Sequence, residues 1–275
     1  LNTFFVVALA VALASTVAGQ QNVLLSGNTL ANEESLSYGS VKFIMQNDCN
    51  LVLYGGGFQS NTASNGKKCT LTLNDNGHLI INDGLTGRAV WKNSNAQNPV
   101  GRYAAVLRPA PGTADVAIYG PAIWSTNAGF SYQGSGAVPH NLGRETPNLP
   151  RMQNLLFSGQ TLYGTDGKLS PNDDNTTFEL SKCQLSLSLG NEVKWKVAPT
   201  VENGNEDYCH VRLDHRGHLS LLNDDNVVLF RSIPANGVEP PIGDYVLIVE
   251  KGATYIYGSP IWNTYDNRRY KVASA

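Results

Sequence analysis

The sequence predicts an all-β protein made of two tandem copies of one domain. Leu-x-Leu and Val-x-Leu stretches are short and alternate, as half-buried strands do. Between them lie tight-turn residues: the chain has 27 glycines and many Asn and Asp, with little material for long helices. The third observation is an internal repeat. Asn22-Val23-Leu24-Leu25-Ser26-Gly27-Asn28-Thr29-Leu30 returns as Asn154-Leu155-Leu156-Phe157-Ser158-Gly159-Gln160-Thr161-Leu162, and Gly77-His78-Leu79 returns as Gly217-His218-Leu219. Near each end, Ile118-Tyr119-Gly120 returns as Ile256-Tyr257-Gly258. Such self-similarity marks a duplication, with copies over 20–127 and 153–264.

Residues 128–152 are rich in Gly, Ser and Pro and lack alternation, so they read as a linker. Arg144 and Arg151 within it are candidate processing points. The tail, 265–275, carries Arg268, Arg269 and Lys271 and is expected to be dispensable. Residues 1–19 contain the apolar run Phe4–Ala14 followed by small residues. They read as a secretory signal peptide without its initiator Met and basic region, too short for a membrane span. The protein is therefore expected in the secretory pathway, secreted or vacuolar.

Each copy divides into three units of alternating strands. The first copy has 41–54, 71–91 and 103–124; the second has 177–195, 211–230 and 245–262. Trp91, Trp124, Trp195 and Trp262 close four of the six, which suits a centre where three sheets meet. The cysteines, Cys49, Cys69, Cys183 and Cys209, fall into two local pairs. The repeat favours Cys49 with Cys69 and Cys183 with Cys209. No pair has the C-x-x-C spacing of a zinc site.

A net charge of -2 with only 15% charged residues offers no footprint for nucleic acid or an anionic membrane. A neutral partner fits better. Gln46-Asn47-Asp48-Cys49-Asn50-Leu51-Val52-Leu53-Tyr54 suits one. Read as one strand, it sends Gln46, Asp48, Asn50, Val52 and Tyr54 to one face and Asn47, Cys49, Leu51 and Leu53 to the other. Two amides, a carboxylate and a phenol around an aliphatic patch make an array for vicinal hydroxyls. It holds no nucleophile–base pair and no metal-ligand cluster, and it implies no cofactor.

The spacing Q-x-D-x-N-x-V-x-Y over 46–54 resembles the sugar-binding signature of the monocot mannose-binding lectins. The duplicated opening, the Gln59-Ser60-Asn61-Thr62 stretch and the Ile-Tyr-Gly endings extend the resemblance over nearly the whole chain after the leader. It implies two β-prism II domains, each of three four-stranded antiparallel sheets around a pseudo-threefold axis. It also implies binding without a metal, one disulfide per domain, and assembly as dimers or tetramers, often by exchange of C-terminal strands. Carried over, Asp48 and Asn50 would hold the axial 2-hydroxyl of mannose, Gln46 the 3-hydroxyl and Tyr54 the 4-hydroxyl, with Val52 against the ring carbons.

The other five units depart from the signature. Asn74, Asn76, His78 and Asn82 stand in the second. Arg108, Asp115 and Tyr119 stand in the third, with an insertion containing Pro109 and Pro111. Leu180, Lys182, Gln184, Ser186 and Ser188 replace the signature in the fourth, Asp214, Arg216, His218 and Leu222 in the fifth, and Glu250 with Tyr257 remains in the sixth. A mannose lectin with one intact site is the expectation, and a storage or protein-interaction role on the same fold is its alternative. An enzyme is not expected: there is no H-E-x-x-H or G-x-S-x-G spacing. His210, His215 and His218 read as a strand and a turn. Asn172–Asn175 and Asn223–Asn226 read as turns because neither has an EF-hand's later Gly and Glu. Asn175-Thr176-Thr177 is a glycosylation sequon.

Overall fold

The computed structural model describes residues 21–109, 113–127, 130–132 by their backbone, 149–164, 167–171, 175–199 and 208–266. The apolar leader, Pro111, Arg144, Asn172–Asp174 and the basic tail residues lie outside them. The strands form six antiparallel sheets, three per half, in the β-prism II arrangement. No helix among the described residues is long and apolar enough to cross a membrane.

In the N-terminal half the first sheet runs Ser35–Tyr38, Val41–Met45, Leu51–Tyr54, Phe58–Gln59, and the second runs Thr29–Leu30, Thr70–Leu73, Leu79–Asn82, Ala89–Lys92. The C-terminal half matches them with Lys168–Leu169, Thr176–Ser181, Gln184–Leu189, Glu192–Val197 and with Thr161–Tyr163, His210–Leu213, Leu219–Leu222, Val228–Ile233. The short strand Phe130–Tyr132 adds a fifth member to this last sheet, pairing with Arg231–Ile233. Period-two alternation decides what is inside. Leu71, Leu73, Leu79 and Ile81 of one hairpin, and Phe43, Met45, Leu51 and Leu53 of another, all enter the same core. Their intervening neighbours face outward.

The third sheets are built differently. Val23–Leu25, Ala104–Arg108 and Asp115–Tyr119 supply three strands, and the fourth is Pro260–Asn263 from the far end of the chain. Leu155–Phe157, Val246–Glu250 and Ala253–Tyr257 are completed in turn by Ala122–Ser125. The two halves have traded their last strands within one chain. Trp262 accordingly joins the N-terminal core, with its ring centroid 5.9 Å from Phe58 and 6.5 Å from Trp91. Trp124 is buried in the C-terminal core, 5.9 Å from Trp195. The four tryptophans do pack at sheet centres, and two of them do so in the half that the sequence order does not suggest.

Between the halves lies a third core. Val23, Val106, Ala117 and Tyr119 meet Leu155, Phe157, Val246, Ile248 and Tyr257 there. The repeated Ser-Gly of each opening ties the sheets together. Ser26 donates its amide to the Tyr103 carbonyl and accepts the Tyr103 amide on its hydroxyl, while the Gly27 amide reaches the Leu73 carbonyl. Ser158, Tyr245, Gly159 and Leu213 repeat these contacts. The disulfides are Cys49–Cys69 and Cys183–Cys209. With sequence separations of 20 and 26, each stabilises the fold by about 3 kcal/mol on the loop-entropy argument.

Because Trp262 is half-buried, Trp262→Ala is expected to cost about 2–3 kcal/mol, below the range of about 3–5 for a fully buried aromatic. Hydrogen exchange should then rise at Asp115–Tyr119 and leave Val246–Glu250 unchanged. Loss of protection confined to the C-terminal half would contradict the strand exchange.

Candidate carbohydrate site

Gln46 to Tyr54 is a hairpin turn and its following strand rather than one continuous strand. Gln46 closes the turn: its amide donates to the Asn50 carbonyl, and its carbonyl accepts the Cys49 amide, both at 3.0 Å. Cys49 takes the left-handed conformation, φ 70°. This is the three-residue hairpin loop with a bulge at its last position. Gln46 therefore faces Asn50 across the hairpin, one step beyond the paired Ile44 and Val52 and the paired Lys42 and Tyr54. Gln46, Asn50, Val52 and Tyr54 share a face through cross-strand pairing as well as alternation, and Asp48 stands in the loop that joins the two strands.

Each polar group in the array has a defined orientation. Gln46 Nε2 donates to the Tyr54 hydroxyl at 2.8 Å. The phenol, accepting that bond, keeps its own proton for an outside acceptor. Asp48 Oδ1 accepts the Asn50 amide at 2.9 Å, leaving Oδ2 as a charged acceptor at the surface. Asn50 is nearly buried, and its Oδ1 accepts Ser60 Oγ at 3.1 Å and the Thr62 amide at 3.2 Å. With the carbonyl end held, the amide end is presented outward. Thr62 donates to the Cys49 carbonyl at 2.6 Å, so the single Ser60 proton is shared between Asn50 Oδ1 and the Thr62 hydroxyl 2.7 Å away. The Gln59–Thr62 stretch is thus the scaffold under the array, a role its sequence similarity alone left unassigned. Its signal was a pair of hydroxyl residues two apart just after the hairpin. Half-buried Val52 and exposed Tyr54 leave an open, shallow surface. Such an array can hydrogen-bond a polyol; it has no group placed to move a proton or to bind an ion.

No family model matches the chain. It is 40% identical over 255 residues to mannose-specific lectin 2 of Colocasia esculenta, covering 92% of this chain and 89% of the relative. It is 38% identical over 275 residues to mannose-specific lectin 1 of Crocus vernus, covering 97% and 96%. The chain belongs to the monocot mannose-specific lectin family. These are lectins, not enzymes. Among solved structures, this lectin is similar to the fetuin-binding agglutinin of Scilla campanulata, a two-domain lectin, with a TM-score of 0.67, 28% identity, and cover of 88% of this chain and all of that one.

Two further hairpins of this lectin have the same loop but use it differently. In 74–78 and 214–218 the first loop residue closes the turn and also caps it. Asn74 Oδ1 accepts the amides of Asn76 and His78, and Asp214 Oδ1 accepts those of Arg216 and His218. Gln46 is longer, leaves that duty to Asp48, and points outward. The bulge position is Gly77 or Gly217, with φ 67° and 71°. A Cβ on Gly77 would fall 2.6 Å from Ile261 and 2.8 Å from Tyr103, and one on Gly217 would fall 2.7 Å from both Ile123 and Tyr245. The repeated glycine is therefore a packing requirement of the exchanged strands and of the tyrosines beside them. Asn76 and His78 are engaged by the Asn98 and Ala96 carbonyls. His218 is buried between Asp214, Arg231 and Glu239.

The third place is closed by Arg108, which makes two bonds to Asp115 and one of 3.0 Å to the Tyr119 hydroxyl. Burial pushes the Tyr119 phenol up to about 12. In the sixth, Arg102 from the other half bonds Glu250 at 2.5 Å, and Tyr257 donates to the same carboxylate. Burial holds the Glu250 carboxyl above its usual range despite both donors.

The fourth place corrects a sequence expectation. Leu180 does not stand where Gln46 does: it is 2% exposed, pairs with Leu185, and fills the core as Met45 does. Ser181 pairs with Gln184 across a two-residue turn of Lys182 and Cys183, at φ 47° and 55°. The loop that would hold a carboxylate is one residue shorter. His210 lies on a strand and His215 and His218 in the following loop; no group of three or more His, Cys, Asp or Glu among the described residues converges to hold a metal. Asn223–Asn226 is a turn, closed by the Asn226 amide on the Asn223 carbonyl.

Burial pushes the Asp214 carboxyl up, but the His218 side chain and the loop amides outweigh it and hold it below the usual range. A lowered carboxyl contributes stability above its unfolded value, about 3.9, and loses it as pH falls through the folded value. Asp214→Asn is expected to cost stability at about pH 5 and progressively less toward about pH 2 in urea titrations. A cost independent of pH would contradict this.

Proposed function

We propose that the protein binds mannose or mannose-containing glycans through Gln46, Asp48, Asn50, Val52 and Tyr54, and that the other five places contribute little. The observation that carries this reading is the contrast between hairpins. At 46–50 the polar side chains turn outward from a loop secured by Asp48, Ser60 and Thr62. At the other places they are spent on the protein's own groups or the loop is shortened. The mannose specificity in the names of the Colocasia and Crocus relatives supports the choice of sugar.

Four net hydrogen bonds of about 0.5–1.5 kcal/mol each, less the cost of association, place one sugar near millimolar affinity, about 4 kcal/mol. Assembly of several chains would multiply this, by about 10²–10⁴ where geometry allows. A dimeric or tetrameric lectin delivered through the secretory pathway is the form we propose. That route would also permit glycosylation of Asn175, which is exposed beside Thr176.

Retention on immobilised mannose, competed by free mannose, is the test. Asp48→Ala should weaken binding about tenfold or more through loss of a charged hydrogen bond. Asp75→Ala, in the corresponding degenerate loop, should be retained as the wild type is. Failure of the wild type to bind mannose would transfer the protein to the storage or protein-interaction reading.

A further inference from the structure

The face that carries the proposed mannose site continues past Tyr54. Three strands of the first sheet align Ser37, Lys42 and Tyr54 in one row, Ser37 paired with Lys42 and Lys42 with Tyr54. Lys42 lies between half-buried Val41 and buried Phe43 and is exposed, so its side chain stands on the outer face with Ile44 and Gln46. The Cβ atoms of directly paired residues stand about 4.5–5.5 Å apart, so the Lys42 side chain starts beside the base of Tyr54. Among the described residues, no ion pair engages Lys42. The carboxylates on the neighbouring segment are occupied elsewhere: Glu33 accepts the Asn47 amide, and Glu34 accepts the Ala31 amide.

Direction matters as much as proximity. The Tyr54 hydroxyl is drawn toward Gln46 by their 2.8 Å bond. Gln46 lies four residues beyond Lys42 on the same edge of the hairpin, about 13 Å away along the strand direction. The ring therefore leans away from Lys42 toward the sugar position. If the 4-hydroxyl of mannose meets Tyr54, the exocyclic carbon on the adjacent ring atom comes to the same side. A substituent on its oxygen would overhang the row of Ser37, Lys42 and Tyr54.

We infer that Lys42 extends the site into an anion subsite, so that the preferred ligand is a mannoside carrying a phosphate on its 6-oxygen. This rests on the mannose reading of the Gln46–Tyr54 array. The ammonium supplies a charge-assisted bond to the phosphate, the Ser37 hydroxyl lies next in the row, and the axial 2-hydroxyl remains with Asp48 and Asn50. The subsite is open to water, so the gain is modest and falls as salt screens it.

The test titrates the full-length protein with mannose, mannose 6-phosphate, mannose 1-phosphate and inorganic phosphate, following amide shifts by NMR. The wild type should bind mannose 6-phosphate about three- to tenfold more tightly than mannose. The 1-phosphate should gain nothing, and inorganic phosphate should not compete. Lys42→Ala should bring the 6-phosphate to the level of mannose while leaving mannose affinity unchanged, Lys42→Arg should keep the preference, and Lys42→Glu should reverse it. Equal affinities in the wild type, or a preference that survives Lys42→Ala, overturns the anion subsite alone. Absence of binding by both mannose and its 6-phosphate overturns the mannose reading and the subsite with it.

Discussion

Each half of the chain builds a third sheet one strand short, and the missing strand comes from the end of the other half. Backbone hydrogen bonding makes this exchange binding on the rest of the structure, because an unfilled edge beside the core would leave donors and acceptors unpaired. Trp262 and Trp124 travel with the exchanged strands and complete the cores they enter. The same strands set the room available at the hairpin loops, since Ile261 and Ile123 press on Gly77 and Gly217. Arg102 reaches Glu250 across the boundary. Two sequence repeats thus become one particle whose sheets cannot be assigned wholly to either copy.

That particle commits every inward-facing strand position to packing and leaves outer faces and loop tips to vary. The three like-shaped loops show what variation does. A short Asn or Asp at the first position turns inward and satisfies the loop amides, and the place is closed. A Gln there cannot do so at the same reach, and the duty passes to Asp48. The carboxylate, the held amide of Asn50 and the phenol then face outward together. Arg108 closes one other place by bonding both the carboxylate and the tyrosine there, and Arg102 closes another by pairing with Glu250, to which Tyr257 also donates.

Much of this was legible in the sequence because alternation and repetition are local signals. The sheets, the disulfide pairs and the core role of the tryptophans follow from period two and from the duplicated frame. Exchange of C-terminal strands was implied by the family resemblance, as a mode of assembly between chains; that the two halves of one chain trade them was not legible, since Ile118–Trp124 and Ile256–Trp262 show the same pattern whichever half they complete. Leu180 was misplaced for a related reason. Alignment through Cys183 preserves residue count but cannot show that Lys182 and Cys183 both enter the left-handed region and shorten the turn, which shifts the preceding strand by one and reverses its faces. The signature was read as a single strand, whereas Gln46 reaches its partners across a hairpin. Ser60 and Thr62 were noted as similarity only; their work is to hold Asn50, which is visible once the strands are paired.

The central claim is that one hairpin of six carries the sugar chemistry. The most direct measurement is a mannose titration of the intact protein followed residue by residue through backbone amide shifts. The account requires one saturable set of shifts confined to Val41–Thr62, at one site per chain. Saturable shifts at 74–82 or 214–222, or none at 46–54, would contradict it.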